Sequence, residues 1–122
     1  HEHNVLNPEL TLPTGYDTIW MSQFLDCFAD NEIVAILEKC HKVSDANTHI
    51  FINETFWDRQ RFATSAFALQ MTSLYFTNIA NGNSQMYDSQ VFYKLIDQAG
   101  FEIVQQHDLI GLSHTILELR KK

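Results

Sequence analysis

Gly15-Tyr16-Asp17-Thr18-Ile19-Trp20-Met21-Ser22-Gln23-Phe24-Leu25-Asp26-Cys27-Phe28-Ala29-Asp30-Asn31-Glu32-Ile33 changes period halfway along. Pro13 and Gly15 punctuate a turn, and Asp17 to Ser22 is a short, mostly apolar run of strand length. Asp30 is a good N-cap, and Ile33, Ile36, Leu37, Cys40 and Val43 then recur at helical spacing, which predicts a strand over 17–22 and a helix over 30–43. Lys39, His41 and Lys42 crowd the last turn, where the helix end favours cations, so they read as structural.

The same alternation continues outward. Thr48 to Asn53 is a β-branched run closing on Glu54, and predicts a second strand. From Asp58 to Asn78 there is neither Gly nor Pro, and Phe62, Ala66, Leu69, Ser73, Phe76 and Ala80 mark one helical face, with Phe67, Met71 and Leu74 beside it. A helix so apolar must be covered by something, and Asn81-Gly82-Asn83-Ser84 is expected to break it. Asp88 or Ser89 caps a third helix with Val91, Phe92, Leu95, Ile96 and Ala99 inward and Gly100 at its C-terminal stop. Phe101 to His107 and His114 to Arg120 read as closing strands, antiparallel neighbours joined by Asp108 to Ser113. Strands alternating with long helices predict an α/β chain, its sheet largely parallel with helices on the faces. Four strands make a poor sheet of this kind, because its edges expose unpaired backbone groups.

Composition narrows the function. The chain has 122 residues, 45% of them hydrophobic, and a formal charge of −7 from fifteen acidic and eight basic residues. That size suits one domain, and the negative field repels phosphate backbones and anionic lipid, so nucleic acid and membrane surfaces are poor partners. The longest uncharged stretch, Phe62 to Tyr87, is broken by polar residues and spans no bilayer. No signal peptide opens the chain, so the cytosol is the expected compartment. The chain opens on a polar stub without Met, as a piece of a longer protein would. Cys27 and Cys40 make no disulfide framework and match no zinc spacing; no metal is expected, although His1-Glu2-His3 could hold a stray ion.

In α/β sheets, ligands sit beyond the carboxyl ends of the parallel strands. Here those ends are Ser22 to Phe28, Glu54 to Trp57, the 81–88 loop and the turn around 108–114. The stretch from Gly15 to Leu37 resembles the small-molecule O-methyltransferases that use S-adenosylmethionine, whose strand begins with Asp and ends in a Leu-His-Asp-Trp-like motif before a Ser-Asp-Glu-like helix start. Ile50-Phe51-Ile52-Asn53-Glu54, Leu95-Ile96-Asp97-Gln98-Ala99-Gly100-Phe101 and the ending from His114 to Lys122 resemble later segments of that family, in the same order. The resemblance implies the C-terminal half of a Rossmann-like catalytic domain. No Gly-x-Gly turn for the donor's methionine occurs in the chain, and the resemblance implies a missing N-terminal half with its dimerisation region, hence a homodimer as the full protein.

Carried over residue by residue, the resemblance puts Asp26 where the family has its general-base His, Glu54 on one partner acid and Gln85 where a second acid would stand. Phe28 replaces the motif's Trp, Ser22 and Gln23 fall where backbone lines the cofactor, and Asn4 and Val5 lie near the usual adenine contact. Met71 and Tyr75 are candidate walls for a small hydroxylated acceptor, phenolic ones included.

Methyl transfer from a sulfonium is an in-line displacement, so alignment contributes most, about 7 to 11 kcal/mol, against two to about four decades from a base. A carboxylate with an ordinary pKa of about 4 is a feeble base for a phenol of about 10, unless burial or a second carboxylate raises it. Asp26 beside Glu54 would meet that condition. An Asp between strand and helix also serves as a turn residue, and His107 or His114 could stand in for the absent His. These alternatives stay open, as does a non-catalytic methyltransferase-like interaction module.

Overall fold

A computed structural model describes residues 2–80 and 82–122, the side chain of Ala80 excepted. His1 and Asn81 lie outside the described residues, and with them part of the expected His1-Glu2-His3 stub and of the expected break at 81–84. Strand β1 is Thr18–Ser22, helix α1 Asp30–Val43, β2 His49–Glu54, α2 Ala63–Tyr75, α3 Ser89–Gln98, β3 Phe101–Ile110 and β4 His114–Lys121. Short 3-10 turns stand at Leu25–Cys27 and Trp57–Arg59, and a π-helical turn, Phe76–Ala80, follows α2.

The sheet order is β1-β2-β4-β3. β1 and β2 are parallel, whereas β4 runs antiparallel to both β2 and β3, so three strands share one direction and β4 is wedged between two of them. The α/β expectation holds, with a difference in the layers. Both crossovers, β1 to β2 and β2 to β3, step the same way through the sheet, and right-handed crossovers stepping one way stack on one face. Helices α1 and α3 therefore lie on one and the same face of the sheet. On it Ile50, Ile52, Leu117 and Leu119 of the strands meet Ile33, Ile36 and Leu37 of α1 and Phe92 and Ile96 of α3 in one buried cluster. Trp20, Phe51 and Asn53 alternate to the other face, where Trp20 is 55% exposed and its ring lies 5.8 Å from Phe51.

Local details depart from expectation in four places. The N-cap of α1 is Ala29, not Asp30: the Ala29 amide donates to Glu32 Oε2 at 2.9 Å, while Asp30 sits in the first turn with Oδ1 3.1 Å from the Tyr87 hydroxyl. Lys39 does not serve the helix end; its Nζ donates to the carbonyls of Val5 and Asn7 and pins the N-terminal segment.

The continuous helix expected from Asp58 to Asn78 is broken because tertiary partners claim its first polar residues. Asp58 accepts from the Ser89 amide at 2.8 Å, Arg59 pairs with Asp108, and Gln60 donates to the carbonyls of Phe56 and Ser113. The chain turns through Trp57–Arg59, runs extended at Gln60, and only then enters α2. No residue of α2 is buried: Ala66, Leu69 and Ser73 are half-buried, while Phe67, Met71, Leu74 and Tyr75 stand exposed. Lastly, β3 runs on to Ile110 through a bulged register, shortening the expected loop to Gly111–Ser113.

Candidate active site

β1 and β2 end side by side, with Ser22 paired to Asn53 and Glu54 one residue further. The amide of Gln23 extends the pairing, donating to Asn53 O at 2.9 Å, and Asn53 Nδ2 donates to Ser22 Oγ at 2.9 Å. The chain then leaves the strand abruptly. Gln23 has a φ of +47°, the left-handed region that non-glycine residues rarely adopt, and the 3-10 turn Leu25–Cys27 begins two residues later. This elbow carries Asp26.

Glu54 closes the elbow from below. Its side chain shares the face of Ile50 and Ile52, and it is 1% exposed. Oε1 accepts the amides of Phe24 at 3.0 Å and Leu25 at 2.9 Å, and Oε2 lies 3.4 Å from Gln23 Nε2. Burial, and after it the charge of Asp26, push the Glu54 carboxyl up to about 7 against the pull of the Phe24, Leu25 and Asp26 amides. Asp26 is likewise buried, at 8% exposure, and burial raises its pKa although the Cys27 thiol, donating to Oδ1 at 3.6 Å, opposes this. Glu54 thus retains a proton close to neutrality, beside an Asp26 whose carboxyl is also raised by burial.

A strap over residues 84–87 covers the elbow. Ser84 Oγ and the Gln85 amide both donate to Asp26 O at 2.9 Å, and the Met86 amide donates to Ser73 Oγ at 2.8 Å, tying the strap to α2. The Tyr87 hydroxyl donates to Phe28 O at 2.7 Å; burial pushes it up to about 12. Phe28 and Phe24 meet edge to face at 5.1 Å.

Of the residues singled out from sequence, Ser22, Gln23, Asp26, Phe28, Glu54 and Gln85 converge here. Gln85 takes part through its backbone, with its residue exposed. Asn4 and Val5 lie elsewhere: Asn4 closes a local turn through Oδ1 to the Leu6 amide, and Val5 O is held by Lys39 on α1. Met71 and Tyr75 are exposed on α2, whose Ser73 is tied to the strap. His107 pairs with Ile116, which pairs with Asn53, so it shares the face opposite to Glu54; it is exposed and lies 3.3 Å from Gln105 Oε1. His114 pairs with Ile110 at the same end of the sheet, but Thr115, not His114, is the partner of Glu54. Sequence reasoning missed the roles of Ser84, Met86 and the exposed Cys27 thiol, because nothing periodic marks contacts made by loop and turn residues. Among the described residues no cluster of three His, Cys, Asp or Glu side chains could hold a metal ion.

Residues 9–102 match the O-methyltransferase domain. The chain belongs to that family. This methyltransferase domain also superposes on solved structures, among them TnmH with a TM-score of 0.84 and 17% identity, over 100% of this chain and 34% of that one. The O-methyltransferase NcsB1 from neocarzinostatin biosynthesis, in complex with S-adenosyl-L-homocysteine and 1,4-dihydroxy-2-naphthoic acid, gives 0.74 and 18%, over 98% and 33%. A structure described as a pericyclic reaction enzyme gives 0.79 and 16%, over 98% and 29%. At these identities the likeness is one of fold, and the chain spans about a third of the length of these structures. No curated protein matches the chain.

Proposed function

We propose that this domain serves S-adenosylmethionine-dependent O-methylation of a small hydroxylated metabolite, phenolic compounds included. The observation that carries the reading is the buried pair Asp26 and Glu54, placed at the carboxyl ends of parallel strands in an O-methyltransferase domain. S-adenosylmethionine, when bound, supplies a methyl group activated on a sulfonium. The residues present fit one side of such a donor: exposed Ser22 and Gln23 at a main-chain elbow, and the half-buried rings of Phe24 and Phe28 as an apolar wall. The segments that would hold its methionine and ribose have no counterpart in the sequence, which contains no Gly-x-Gly. We read the chain as the C-terminal part of a methyltransferase catalytic domain, within a larger protein that we take to be homodimeric and cytosolic.

In that reading Asp26 accepts the acceptor's hydroxyl proton as the oxygen attacks. Oδ1 already takes the Cys27 thiol, leaving Oδ2 for the proton. Burial makes Asp26 a stronger base than a solvated carboxylate, and Glu54 beside it resists joint ionisation. Gln85 anchors the Asp26 carbonyl, and Met71 and Tyr75 offer apolar surface next to the strap.

A second reading, a non-catalytic module that binds another protein through α2, is favoured by one observation: α2 buries none of its residues. Calorimetric titration of the intact protein with S-adenosylmethionine separates the two. Saturable binding supports the enzyme, and no binding supports the module. Residues 1–122 alone are expected neither to bind the donor tightly nor to turn over; methylation by the isolated chain would refute the division of labour.

A further inference from the structure

Resting on the reading of Asp26 as the proton acceptor, we infer that Glu54 is a positioning residue: it acts as a main-chain clamp that holds the strained Gln23–Asp26 elbow and so presents Asp26.

Three observations converge. The first is the strain itself. Gln23 has a φ of +47°, a conformation unfavourable for a non-glycine residue, so the elbow relaxes unless something over-determines it. The second is where the next amides go. Phe24 is half-buried and Leu25 fully buried, and the N–H groups of both, which have no strand partner, end on one oxygen, Glu54 Oε1. A buried amide left unpaired is costly, so this double contact restrains the elbow. The third is the remaining oxygen. Oε2 meets the side chain of Gln23 at 3.4 Å, and the Asp26 amide also acts on the carboxyl, so Glu54 addresses the whole Gln23–Asp26 elbow. Asp26 is on the far side of the same elbow, its own carbonyl pinned from above by Ser84 and Gln85. The elbow is thus gripped from both sides, and Glu54 is the only side chain gripping from the sheet among the described residues.

The clamp predicts that Glu54→Gln, whose amide oxygen can replace Oε1, keeps the elbow, whereas Glu54→Leu releases it. Amide hydrogen exchange at Phe24 and Leu25 in the intact protein reads this directly. Glu54→Leu is expected to exchange at least about tenfold faster at those two amides, and Glu54→Gln to stay within about threefold of wild type. Gln23→Gly in the Glu54→Leu background removes the strain and is expected to slow exchange back toward wild type. Methyl transfer, where the intact protein performs it, should lose kcat in Glu54→Leu with the KM for S-adenosylmethionine little changed. Wild-type exchange in a folded Glu54→Leu variant, or exchange that Gln23→Gly does not slow, contradicts the clamp. If Glu54→Leu does not fold, Glu54→Gln decides alone: protection kept supports the clamp, and protection lost overturns it. A wild-type protein without methyl transfer defeats the reading of Asp26 and leaves the exchange result to judge the clamp separately.

Discussion

On the Glu54 carboxyl, burial and the Asp26 charge raise the pKa while backbone amides lower it, and the raising effects win, giving about 7 against an ordinary 4.5. The folded state therefore keeps a proton that the unfolded state has released. Glu54 stabilises the fold fully below pH 4.5, and this contribution is lost as pH rises from 4.5 to about 7. Asp26, also raised, acts in the same direction. The loss attributable to Glu54 is at most about 3 to 4 kcal/mol, from the 7 − 4.5 difference at about 1.4 kcal/mol per pH unit. Denaturant titrations of wild type and Glu54→Gln between pH 4.5 and 8 should therefore diverge, with the variant gaining relative stability as pH rises; parallel curves would contradict the raised pKa. Glu54 was legible as the carboxylate that closes an apolar run of strand length, whereas Asp26 was reached only through the resemblance of its segment to the family motif. The main-chain role of Glu54 was not legible: no pattern in Phe24-Leu25 says that both amides will point at one distant oxygen.

Among the elements, α1 and α2 make a contrast. α1 follows its apolar period residue for residue, since Ile33, Ile36, Leu37 and Cys40 all face the core. α2 is more apolar still, yet it is broken at its start by the partners of Asp58, Arg59 and Gln60, which no periodicity reveals. Truncation separates the two helices: Leu37→Ala should cost about 2 to 5 kcal/mol, and Leu74→Ala, at a side chain 54% exposed, within about 0.5. Denaturant midpoints check both, and a large cost at Leu74 would mean that α2 is covered. Asp88 caps α3 by accepting the Gln90 and Val91 amides, so Asp88→Ala should cost about 1 kcal/mol. Gly100 has a φ of +87°, and a Cβ added there would lie only 3.0 Å from His41 Nε2. Gly100→Ala should therefore lose about 1 to 2 kcal/mol by the same assay.

At the scale of the whole molecule, both crossovers step one way from β1, the hairpin from β3 to β4 steps back, and β1 and β3 are the edges of the described sheet. Strand count and order of elements were legible in the sequence. The one-sided layering was not expected, although it follows from handedness once the strand order is known. No helix among the described residues is long and apolar enough to cross a membrane. Proton transfer to Asp26 during methylation is tested by transfer of a labelled methyl group from S-adenosylmethionine to a panel of hydroxylated aromatics, using the intact protein, wild type beside Asp26→Asn. Transfer by wild type and a fall of about 100-fold or more in the variant, with donor binding kept, is the expected result; a wild type that transfers nothing, or a variant at the wild-type rate, would contradict it.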